Sequence, residues 1–238
     1  MFFSKPIVEL PKITAPTAAE ICVQSKPSPE GQALLTPEMT PPEYLQALEK
    51  NKLAVDSVHL LAHGLPGKDA ICWACQGTRL VAPKLSMPEL DALKLTEAWL
   101  KVPSLDLRTS IEASLGKVDF TGPASWAAQA ALWFKAPGAP ALPGMPAIPA
   151  INLTAAAVVG AILLAAGLVI GVAMPAVPKP KLALPTLPPP PEFLLQLKKP
   201  QIALEAAIPT VTQPKLMKLL LPFIDLGKGV ALGTIKCC

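Results

Sequence analysis

The sequence predicts an all-α protein, a small helical bundle followed by a Pro-rich extended region that carries one long apolar helix. Three observations lead there. Helix start and stop signals follow one another from Thr36 to Lys135. No run alternates with the period of two that a half-buried strand needs. Of the 30 prolines among 238 residues, 17 fall after residue 135, where they rule out long helices and central strands over most of that length.

The two parts also differ in charge and aromatic content. Residues 1–135 hold 13 Lys+Arg and 14 Asp+Glu, together with nine of the eleven aromatic residues, whereas residues 136–238 hold 8 Lys and 3 acids. Aromatics with balanced charge supply large buried area and a solvated exterior, as a packed domain requires. The overall balance of 16% charged residues and a net charge of +4 excludes a charge-rich disordered chain and a nucleic-acid binder held by net charge. Five cysteines are too few for a disulfide framework in a chain of this length, so they read as thiols or ligands.

Residues 1–35 carry Pro6, Pro11, Pro16, Pro27 and Pro29 without a sustained period and read as an extended Pro-rich arm. Met1 to Lys5 lacks the basic and apolar regions of a signal peptide, which makes the N-terminal module cytoplasmic in expectation. Residues 36–135 form the all-α interaction module. Thr40-Pro41-Pro42-Glu43 is a capping box with proline in the first turn. Leu53 to His63 places Val55, Val58 and Ala62 on one stripe and stops at Gly64-Leu65-Pro66-Gly67. Further helices are expected over Lys68–Val81, from a second capping box at Ser86–Glu89 through Trp99, over Leu105–Val118 and over Ala124–Phe134. The four tryptophans at helical spacing read as core.

Pro42-Glu43-Tyr44-Leu45, Leu61-Ala62-His63-Gly64-Leu65-Pro66 and Ala70-Ile71-Cys72-Trp73-Ala74-Cys75 together resemble an uncharacterised bacterial helical domain family, with a P-x-E-Y-L start and an L-A-H-A-L-P…W-W-A-C core. The resemblance covers residues 36–135. It implies a protein partner that is a component or cargo of a type VI secretion apparatus, because such domains are found near those components, and it implies no activity. Cys72 stands where that family's core has an aromatic residue.

The sharpest chemical constellation is His59, His63, Cys72 and Cys75, spaced H-x3-H-x8-C-x2-C across two successive helices. Four such ligands suit a structural zinc ion, with no open position for water. The alternative assigns His63 to the last turn of its helix and both cysteines to the core. No strand precedes the C-x-x-C, so a thioredoxin-like site lacks its context. Nor is there a Walker A, a G-x-G-x-x-G or a G-x-S-x-G. Glu89 and Asp91 read as part of a solvated face. The chain is therefore expected not to be an enzyme, to need no cofactor beyond that zinc, and to bind no nucleic acid.

Residues 136–149, with proline at about every third position, form a Pro-rich linker best suited to polyproline II. Residues 150–174 are free of charge and proline; as one helix they would span about 37 Å against a hydrocarbon core of about 30 Å. They read as a transmembrane helix, or as one buried by a partner in a larger assembly, with Gly167 and Gly171 as a G-x-x-x-G packing signal. Residues 175–238 form a Pro-rich basic tail with short amphipathic helices over Glu192–Ala207 and Lys215–Lys228, the latter broken at Pro222. The functional expectation is a non-enzymatic interaction or scaffold protein, membrane-associated (at an inner membrane) or exported. A membrane-inserting toxin and a zinc-stabilised binding domain are the alternatives.

Overall fold

The structure, a computed structural model, describes residues 7–118, 120–134, 152–171 and 213–236. Among these every regular element is helical. The elements are α1 (Ala18–Ser25), α2 (Pro29–Leu34), α3 (Pro41–Lys50), α4 (Ala54–Gly64), α5 (Gly67–Arg79), a 3-10 turn (Ala82–Lys84), α6 (Met87–Lys101), α7 (Leu105–Leu115), α8 (Pro123–Trp133), α9 (Leu153–Val169) and α10 (Gln213–Leu232). The linker 136–149 and the expected helices over Glu192–Ala207 lie outside the described residues.

Local chemistry sets the boundaries of the N-terminal helices. Thr40 caps α3 in a complete capping box: its hydroxyl accepts the Glu43 N–H, while the Glu43 carboxylate accepts the Thr40 N–H at 2.8 Å. Pro41 fills the first helical turn, where its missing N–H costs nothing. The second expected box is not formed. Ser86 makes no side-chain cap bond, because Glu89 turns inward and accepts the Ser125 hydroxyl at 3.0 Å. Glu89 is buried, whereas Asp91 is exposed beside Lys94 at 3.7 Å. The two carboxylates do not share a solvated face. Gly122 permits this arrangement, since a Cβ there would lie 1.9 Å from Glu89 Oε2.

The arm is partly helical. α1 and α2 occupy residues 18–34, and Leu10, Ile13, Ala18, Ile21 and Cys22 enter the core. A buried polar knot anchors them. Asp56 accepts the Ser28 N–H at 2.8 Å and its hydroxyl at 2.6 Å, and Ser28 in turn caps α2. The Tyr44 hydroxyl donates to the Gly31 carbonyl at 2.9 Å. Proline density predicts extension, but prolines at a helix start and between short helices are compatible with both elements.

The apolar segment forms a helix of seventeen residues, of which thirteen are buried. α9 packs chiefly on α8, then on α5 and α4, with α10 against it as well. At about 25 Å it is shorter than a bilayer core, and among the described residues no helix is long and apolar enough to cross a membrane. A helix that is apolar on all sides must be enclosed. Here the enclosing surface is this chain's own. Gly160 faces the Trp126 indole, where a Cβ would sit 3.4 Å from the ring. Gly171 is no packing glycine: it follows the helix with φ 73° and ends it. Lys84 Nζ donates to the Leu168 carbonyl at 2.5 Å, completing that terminus from the 3-10 turn.

α10 likewise joins the bundle. It runs unbroken through Pro222, which lies on the exposed side, where water can satisfy the freed carbonyl. Leu216, Leu220, Phe223, Ile224 and Val230 are buried, with α4 and α5 as the main neighbours. Lys228 binds Glu49 at 2.7 Å. Trp73, fully buried on α5, donates its indole N–H to the Phe223 carbonyl at 2.8 Å. Gly227 is needed at that contact, since a Cβ there would stand 2.8 Å from the indole.

Candidate functional site

The residues of the three sequence motifs build the fold. Tyr44, Leu45, Leu61, Ala62 and Leu65 are buried, as is every residue from Ala70 to Cys75. Pro66 is the N-cap of α5. Tyrosine is required because its hydroxyl ties α3 to the Gly31 carbonyl, and tryptophan because its indole N–H ties α5 to α10. These are roles in packing and polar satisfaction. Trp99 and Trp126 are also buried, and Trp133 is half-buried.

His59 and His63 stack on the face of α4, with ring centroids 6.2 Å apart and planes inclined by 7°. Cys72 and Cys75 lie buried on α5. The four do not converge into a ligand set: among the described residues no three His, Cys, Asp or Glu side chains are placed to hold a metal ion. Moreover, Cys72 is disulfide-bonded, so its sulfur is not available as a thiolate. The hairpin turn brings α4 beside α5.

Burial, and secondarily the neighbouring His59, lowers the His63 pKa to about 3. Its Nδ1 is buried without a hydrogen-bond partner. The imidazole is thus neutral and does not serve as a positive group at the helix end. The unfolded chain binds a proton there near pH 6.5 and the folded chain does not. Stability is therefore level above pH 6.5 and declines as the pH falls toward 3, by up to roughly 1.4 kcal/mol per pH unit. Glu89 acts in the opposite sense. Burial pushes its carboxyl up against the weaker pull of the Ser125 hydroxyl and N–H, so its destabilising effect sets in as the pH rises out of the carboxylate range. Urea titrations across pH 4–7 check both. His63→Leu flattens the loss of stability on acidification, and Glu89→Gln raises the midpoint more at pH 7 than at pH 4.

Sequence reasoning missed an open groove of about 390 Å³ between the arm and the start of α3. Ile7, Leu10, Pro11 and Ile13 line it from the arm, and Thr40, Pro41 and Pro42 from the other side. Glu9 and Glu43 supply its carboxylates. The Glu43 pKa is lowered by the Thr40 N–H and hydroxyl, which keeps that edge of the groove negative. Ile7 is 43% exposed. The lining offers apolar side chains, Thr40 and the two carboxylates of Glu9 and Glu43. The only sequence signal was the P-x-E-Y-L start, whose Pro42 and Glu43 line the groove while Tyr44 and Leu45 turn inward.

No curated protein and no solved structure matches the chain significantly. A family profile matches residues 44–172, from Tyr44 in α3 through α9, a span that joins the bundle helices to the apolar helix they enclose. The chain belongs to DUF6931, a family of unknown function.

Proposed function

We propose that the protein is a non-enzymatic helical interaction module whose N-terminal groove takes a short apolar segment of a protein partner, flanked by Lys or Arg. The observation that carries this reading is the groove lined by Ile7, Pro11 and Pro42 and edged by Glu9 and Glu43. Proline-lined apolar walls give contact area at low entropic cost, and the two carboxylates select a basic flank. The motif resemblance adds that the partner belongs to a type VI secretion apparatus or its cargo.

The test is photo-crosslinking in the native host, with a photoreactive residue at Ile7 and, as a control, at Leu105, which is 77% exposed on α7. The expected result is a protein captured from Ile7 alone, through a peptide carrying Lys or Arg beside apolar residues, and lost in Glu9→Lys. Capture that is equal at both positions, or unaffected by Glu9→Lys, contradicts the reading.

A further inference from the structure

Lys12 connects the groove to α10. Its neighbours Pro11 and Ile13 line the arm wall of the groove, and its own N–H donates to the Ala231 carbonyl in the last turn of α10 at 3.1 Å. The Lys12 Nζ binds Asp69 in the first turn of α5 at 2.6 Å. Its stem passes beside Gly233, where a Cβ would lie 3.8 Å from Cε. Leu10 and Ile13 are buried, and Ile13 packs on Gly64 at the end of α4. The arm wall therefore rests on three supports: the end of α4, the start of α5 and the last turn of α10. α10 is held in turn by Phe223 and Gly227 against Trp73 and by Lys228 between Glu49 and Asp225. Arm and α10 both lie outside the residues 44–172 of the family match, and they meet each other at Lys12 and Ala231.

We propose that docking of α10 regulates the groove: α10 in place fixes the arm wall, and a partner seated in the groove holds α10 down. This rests on the reading of the groove as a partner site. The argument is one of linkage. When α10 lifts, the Lys12 N–H loses its acceptor, and the wall between Pro11 and Ile13 loses one of its supports. A ligand that needs the wall in place binds the docked state more tightly, so it shifts α10 toward docking by the same factor. The opening is local, confined to α10 and the arm. α7, which packs on α6 and α8, is the reference for the rest of the bundle.

Hydrogen exchange of the full chain tests the device in two variants. Gly227→Val puts a side chain where a Cβ alone would stand 2.8 Å from the Trp73 indole. Lys228→Gln is milder and removes the pair with Glu49. In each, the amides of Lys12 and of Phe223–Ala231 should lose protection together, by at least about 5-fold, while those of Ile111–Leu115 keep the parental rate. An arm that keeps its parental rate when α10 loosens overturns the coupling. So does an α10 that loosens in neither variant, or only together with α7. Photo-crosslinking from Ile7 supplies the second readout: capture should fall at least about 5-fold in Lys228→Gln, and undiminished capture overturns the regulation. Absence of capture from the parental chain strikes the groove reading alone, and the exchange result, which needs no partner, still decides whether α10 and the arm are coupled.

Discussion

Ile162→Asp should abolish the folded state in detergent-free buffer. Ile162 is fully buried near the middle of α9, and its Cδ1 faces Gly77 of α5 so closely that a Cβ on that glycine would lie 2.7 Å away. Aspartate there loses the apolar contact and leaves a carboxylate without a partner. Together these cost more than about 5 kcal/mol, against a total stability of roughly 5–15 kcal/mol. The control is Ile170→Asp, at a position 42% exposed just past the helix, which should cost less than about 1 kcal/mol. Urea unfolding followed by far-UV circular dichroism reads both. An Ile162→Asp protein with the parental midpoint would mean that α9 is not enclosed by α5 and α8.

Trp73→Ala should cost about 3–5 kcal/mol and free α10 before the rest of the bundle. The indole is fully buried against Gly227 of α10, and its N–H satisfies the Phe223 carbonyl. Trp73→Phe separates the two contributions. It keeps most of the apolar area and forfeits the hydrogen bond, at about 1–2 kcal/mol. Hydrogen exchange localises the effect: in both variants α10 amides should lose protection before those of α8. Uniform loss of protection across the helices would contradict the role of Trp73 as the α5–α10 tie.

Much of the fold was legible because capping and stop signals are local. Thr40–Glu43 predicted the start of α3 and Gly64–Gly67 the turn between α4 and α5, since both depend on groups within a few residues of one another. The apolar segment was recognisable as a helix, but its surroundings were not. Uniform apolarity states only that water is absent, and lipid and protein satisfy that condition equally. The described helix starts after the Asn152 cap and stops before Gly171, whose positive φ composition does not reveal. The Ser86–Glu89 box failed because a buried hydroxyl on α8 competed for the same carboxylate. The histidine–cysteine spacing allowed a ligand set, but spacing gives no convergence. The groove was hidden for the same reason: its walls come from segments about thirty residues apart.

The central claim is that α9 is the enclosed inner helix of a bundle completed by α10. Native-state hydrogen exchange of the full chain in detergent-free buffer tests it most directly. The backbone amides of Val158–Leu164 should exchange as slowly as those of Ala70–Cys75 and open only with global unfolding. Exchange of the α9 amides within seconds, while α5 remains protected, would contradict it.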